Sequence, residues 1–136
     1  LADEADEQAH GLAFAPVSGI MRGFIDLTFE FEGRYYIADY KSNWLGFQLD
    51  DYRREHLARV IREHRYDLQY LIYTLALHRF LKANLADYDY ERHFGGVYYL
   101  FLRGLSPAEG ANSGVFYDRP ELALIERLDA MMWEEP

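Results

Sequence analysis

The 136-residue sequence contains no cysteine. Disulfides, thiolate zinc sites and cysteine-ligated iron–sulfur clusters are therefore excluded within it, and the absence fits a cytoplasmic location. Lysine is almost as scarce, present only as Lys41 and Lys82. No apolar run reaches the roughly 20 residues that span a bilayer, and the acidic opening LADEADEQ is the reverse of a signal peptide. A net charge of −9 argues against a free-standing nucleic-acid binder, because phosphate contacts supply most non-specific affinity.

Half of the residues are apolar and 17% are aromatic, enough for an ordered core. The length predicts a single domain over 1–136. The start at Leu1 and the end at Glu-Glu-Pro suggest a piece of a longer polypeptide. Charge is unevenly distributed. Acid collects at Asp3, Glu4, Asp6 and Glu7, at Asp87 and Asp89, and at Glu134 and Glu135, whereas five arginines fall between Arg53 and Arg65. Charge alone favours reading these arginines as a solvated helix face paired with Glu55 and Glu63, over a local basic surface.

Residues 1–17 read as an acidic, irregular lead-in. From Ser18 to Glu32 apolar and polar positions alternate, with Ile25, Leu27, Phe29 and Phe31 on one face and Asp26, Thr28 and Glu30 on the other. This predicts a strand. Glu32-Gly33 supplies a turn and Arg34 to Ser42 the return strand. Asp50 or Asp51 is placed to cap a helix from near Tyr52. A second helix spans about Tyr66 to Ala86, apolar on most sides through Leu68, Tyr70, Leu71, Leu75, Leu77 and Leu81. Gly95-Gly96 precedes VYYLFLRG, a strand apolar on both faces and hence central. Gly104 to Gly114 reads as a polar loop, and a last helix starts at Asp118, with Pro120 in its first turn. The order β-β-α-α-β-α predicts an α/β domain with a mixed sheet flanked by helices.

The chemistry centres on Asp39-Tyr40-Lys41. A two-residue turn at Glu32-Gly33 sets Phe31 opposite Arg34, and counting back sets Asp26 opposite Asp39. Opposed residues share a face about 5 Å apart at Cβ, and Lys41, two positions on, joins them. An odd-length turn without a bulge would separate the two aspartates. Two carboxylates at that spacing repel by on the order of 3 kcal/mol at an effective dielectric near 20. Lys41 offsets part of this, and a hard dication such as Mg²⁺ would offset the rest. Alone, an Asp-x-Lys triplet usually means two solvated side chains. Gln69 and Tyr73, four apart on a helix, share a face and can reach one point, such as a phosphate or the waters of a metal. On their own they would equally serve as a core tyrosine and a backbone-bonded glutamine.

Together these elements resemble the PD-(D/E)xK nuclease superfamily. Asp26 stands in GFIDL, Asp39 and Lys41 in IADYKSNWLG, and Gln69 and Tyr73 in RYDLQYLIYTLALHRFL. From about Gly19 to Arg103 the strings are similar to the RecB nuclease-domain family, found in the β subunit of exodeoxyribonuclease V. The resemblance implies a restriction-endonuclease-like fold and Mg²⁺-dependent hydrolysis of DNA (Mn²⁺ substituting) within a helicase–nuclease that processes double-strand ends for repair and recombination. It implies DNA ends, RecC and RecD subunits and a RecB helicase region as partners. Its metal ligands fall on Asp26, Asp39 and the carbonyl of Tyr40, with Lys41, Gln69 and Tyr73 as further site residues. It departs from the family in two ways. The family's upstream histidine ligand is not assigned, since His10 lies only sixteen residues before Asp26, and the N-terminal core helix is expected to be lacking. An exposed core edge is then expected to favour instability or self-association. His56, His64, His78 and His93 read as packing or surface residues. The alternative is a catalytically impaired fragment or a non-catalytic interaction domain. An iron–sulfur-bearing relative is excluded by the missing cysteines.

Overall fold

The structure, a computed structural model, describes residues 24–133; the lead-in over 1–17, His10 and the position of an N-terminal core helix lie outside them. Glu32 and Gly33 both take positive φ, 51° and 79°. This is the conformation of a type I′ turn, whose twist matches that of paired strands. β1 (Leu27–Phe31) and β2 (Arg34–Lys41) accordingly pair antiparallel, with Phe31 opposite Arg34 and Leu27 opposite Ala38. The expected register is the observed one, although the ladder starts at Leu27 and leaves Asp26 one residue outside it.

β2 continues into a parallel pairing with β3 (Phe94–Phe101), and β3 pairs antiparallel with β4 (Val115–Asp118). The sheet order is β1-β2-β3-β4. A parallel pair needs a long crossover. Here it consists of α1 (Arg54–Glu63), α2 (Tyr66–Asn84) and the single turn α3 (Tyr90–His93); α4 (Leu122–Trp133) follows β4. The molecule is thus α/β, a mixed four-stranded sheet flanked by helices, in keeping with a restriction-endonuclease-like fold. β3 is central, as its two apolar faces require.

Several boundaries differ from the sequence expectation. β4 and α3 are additional, and β4 lies where loop and helix start were expected. Four residues are too few to carry a periodic signal, and the last helix begins at Leu122 rather than Asp118. The Asp51 carboxylate accepts from Gln48 N at 3.0 Å, closing a 3₁₀ turn over Leu49–Tyr52, so α1 starts only at Arg54. Gly95 and Gly96 belong to β3 rather than preceding it. A register shift between Tyr35 and Tyr36 sets Tyr35 against Phe94 and Tyr36 against Gly96. The Tyr36 ring lies where a Cβ on Gly95 would stand.

The two faces of the sheet divide by parity. Asp39 lies beside Tyr99, and Tyr99 beside Phe116. Tyr99 reaches Gln69 of α2, and Phe116 packs on Tyr70 of α2 and Arg54 of α1. This is the helix-covered face, where Ile37, Val97, Tyr99 and Phe101 are fully buried. α4 packs in turn on α2. α2 is therefore buried along much of its length, but Leu68, expected among its apolar positions, is exposed. The apolar side of β1 faces the other way. There Phe29, Tyr36, Tyr98 and Tyr117 form a row of ring contacts 5.2, 5.9 and 4.9 Å apart, while Leu27 and Phe31 are exposed. Alternation in β1 was legible, but its apolar face is the one that no described helix covers.

Candidate active site

The type I′ turn and the β2–β3 pairing bring one acidic residue of each hairpin arm to the same end of the sheet. Asp26 is exposed, and its Oδ2 accepts from the Tyr40 main-chain N–H at 2.9 Å. That bond holds the start of β1 to β2 just where the regular ladder has ended. Asp39 is only 3% exposed. Burial pushes its carboxyl above the usual carboxylate range. Lys41 acts against this by hydrogen bond and charge, and Asp26 adds to it by both. The two carboxyls are thus direct neighbours, and the inner one is poorly stabilised as an anion.

Lys41 is placed by three elements. Its Nζ lies 3.1 Å from Asp39 Oδ1 and donates to Gln69 Oε1 at 3.2 Å. It also stands over the ring of Tyr66, 4.2 Å from the centroid, and 5.2 Å from that of Tyr99. Cation–π contact of this kind attracts an ammonium to the face of the ring. The Tyr99 hydroxyl donates to the same Gln69 Oε1 at 2.6 Å. Gln69 also hydrogen-bonds Tyr73. The buried Tyr73 hydroxyl is held above the ordinary phenol range by burial and then by the negative fields of Asp39 and Asp26, with the Gln69 hydrogen bond opposing, so it stays neutral. The glutamine amid apolar neighbours is therefore fully employed, as burial of an amide demands.

The structure brings Asp26, Asp39, Lys41, Gln69 and Tyr73 into one connected cluster. Tyr40 contributes its main chain, its own ring being largely exposed. Sequence reasoning missed Tyr66 and Tyr99. Tyr66 stands three residues before Gln69 on the same helical face, a spacing that could have found it. Tyr99 follows only from the parallel register, which no short turn specifies. The residues that could hold a metal here, the Asp26 and Asp39 carboxylates and the Tyr40 main chain, offer hard oxygen donors. The unmet charge at Asp39 fits a hard dication such as Mg²⁺. Among the described residues no three His, Cys, Asp or Glu side chains form a metal-binding group, so no histidine completes this set within them.

The other described histidines, and most arginines of the 53–65 stretch, have structural partners. His78 Nδ1 pairs with the Tyr88 hydroxyl at 2.6 Å, His56 with Arg59 at 2.8 Å, His93 with Asp89 N at 2.9 Å, and His64 stacks on Tyr66. Arg53 pairs with Asp50 and Glu109, Arg59 with Glu63 and Arg65 with Asp67, while Arg54 donates to the Tyr117 carbonyl. The arginine stretch is chiefly a solvated, ion-paired surface; of its two expected acidic partners, Glu63 bridges Arg59, while the other bridges use Asp50, Asp67 and Glu109.

No family model matches the chain. Curated relatives do. The RecB subunit of the RecBCD enzyme of Escherichia coli is 54% identical over 120 residues, 88% of this chain. That of Haemophilus influenzae is 52% identical over 123 residues, and that of Mycobacterium tuberculosis 40% over 128, each covering 90% of this chain. The chain spans only 10 to 12% of the length of these relatives. With similarity at this level along nine-tenths of its length, the chain belongs to the RecB family, as the counterpart of a segment of about a tenth of that subunit.

Proposed function

We propose that this chain is the nuclease part of a RecBCD-type helicase–nuclease acting in double-strand break repair and recombination, and that it hydrolyses DNA phosphodiesters with Mg²⁺. The observation that carries the reading is the position of Lys41 Nζ, between Gln69 Oε1 and the Oδ1 of Asp39, a buried carboxylate that itself neighbours Asp26. Asp26, Asp39 and the Tyr40 carbonyl would hold Mg²⁺, with Mn²⁺ as a substitute, and the bound ion would polarise the phosphoryl oxygen and favour deprotonation of the attacking water.

The chain's own residues supply positioning and charge. The Lys41 ammonium, fixed by Asp39, Gln69 and Tyr66, can hold a phosphate oxygen or orient the attacking water. In the reaction the water oxygen forms a bond to phosphorus, one P–O ester bond breaks, and the leaving oxygen takes up a proton. The Lys41 charge stabilises the negative charge that develops on the phosphoryl oxygens. Gln69 keeps Lys41 aimed, and Tyr73, kept neutral by burial, adds no negative charge to the cluster. In the parent assembly the partners are DNA ends, the RecC and RecD subunits and the RecB helicase region.

The reading predicts that Mg²⁺ or Mn²⁺ raises the melting temperature of the chain and that Asp39→Ala abolishes the increment. An unchanged melting temperature at saturating metal would instead favour a non-catalytic interaction domain.

A further inference from the structure

The loop that leaves Lys41 presents two aromatic rings to solvent. Phe47 is 94% exposed and Trp44 56% exposed, and their rings meet edge to face at 5.0 Å. Large aromatics are usually buried, so two together beside a candidate phosphodiester site require a reason. The loop itself is well anchored. Asn43 bonds the Tyr66 hydroxyl at 3.2 Å, Leu45 N donates to the Tyr52 hydroxyl at 3.1 Å, and Ser42 O accepts from Arg103 Nε at 2.8 Å. Gly46 has no room for a Cβ, because the Asp51 carboxylate fills that space. Tyr66 joins this loop to the site, since its hydroxyl holds Asn43 while its ring holds Lys41.

We propose that Trp44 and Phe47 form a stacking platform for bases of single-stranded DNA whose backbone runs to the Lys41 site, with Arg103 contacting a phosphate. The proposal rests on the phosphodiesterase reading and deepens it. Every base offers a π-face, so an aromatic platform binds single strands with little regard to sequence. Charge completes the match. Arg103 is exposed, spends its Nε on Ser42 O and pairs with no carboxylate among the described residues. Trp44 lies three residues beyond Lys41, within about 10 Å along an extended chain, so a base on the platform neighbours the phosphate at the site. A duplex hides its base faces, and the platform therefore selects unpaired strands.

The test titrates the chain, in EDTA to suppress cleavage, with oligo-dT and with an abasic strand of the same length. A Trp133→Phe background makes Trp44 the sole tryptophan. Oligo-dT is expected to quench Trp44 fluorescence and to bind more tightly than the abasic strand. Trp44→Ala and Phe47→Ala each weaken oligo-dT binding by about ten-fold, with unchanged salt dependence and an unchanged melting temperature, while Trp44→Phe restores most of it. Arg103→Ala weakens both strands and reduces the slope of log affinity against log salt by about 0.7. Equal binding of the two strands by the unsubstituted protein overturns the proposal. So does unchanged oligo-dT binding by both alanine variants, including the case in which they instead lose a protein partner. Base-dependent binding without Mg²⁺-dependent cleavage would overturn the catalytic reading and leave the platform standing.

Discussion

Asp39 carries a conflict that its neighbours only partly resolve. Its carboxylate is buried and beside Asp26, and the ion pair with Lys41 does not restore its ordinary affinity for protons. The ionised form therefore destabilises the fold in metal-free buffer. Asp39→Asn is expected to raise the metal-free melting temperature while removing the Mg²⁺ response; a large loss of stability would show that the Asp39–Lys41 bond dominates. His78 provides a separate pH signature. Burial, then Lys82, lowers its pKa below 6.5, with Asp129 and Glu126 of α4 opposing and Arg79 assisting. Between the lowered folded value and 6.5 the unfolded chain binds the proton and the folded chain does not. Stability contributed by neutral His78 is therefore present above pH 6.5 and lost as pH falls toward the folded value, by up to about 1.4 kcal/mol per pH unit. Urea denaturation across this range should show a shallower slope in His78→Gln, which retains an acceptor for Tyr88. An identical slope would remove His78 as the cause.

The hairpin is the element on which the site depends, because its two-residue turn alone places Asp26 beside Asp39. Glu32 nevertheless occupies a left-handed conformation that suits asparagine or glycine better. Glu32→Asn creates the favoured Asn-Gly pair and is expected to stabilise the chain by about 0.5 kcal/mol or more without altering metal response. A changed metal response would mean that the register had moved. The same element explains what was legible beforehand. Pairing across a short turn follows from counting, so Asp26, Asp39 and Lys41 could be placed from the sequence, and Gln69 and Tyr73 from helical spacing. Tyr99 enters through a parallel pair whose partners lie sixty residues apart, and such a register is set by packing of the crossover helices. β4 was hidden by its brevity. The apolar face of β1 was misleading for another reason: its rings make an aromatic row on the face opposite the helices, so alternation identified the strand but not which side met the core.

At the scale of the whole molecule, an acidic body carries the Lys41 ammonium at the candidate site, with Arg103 exposed beside the loop that leaves it. A net charge of −9 implies weak affinity for DNA that falls as salt rises; tight binding at high salt would contradict that balance. Catalysis at the Asp39–Lys41 cluster is the central claim. Its most direct test is digestion of linear single-stranded DNA by the full-length polypeptide carrying this sequence, with Mg²⁺, against the Lys41→Ala variant. The account predicts Mg²⁺-dependent release of nucleotides that falls by at least about two orders of magnitude in the variant, as when a charge-stabilising group is removed. Equal digestion by both would contradict it.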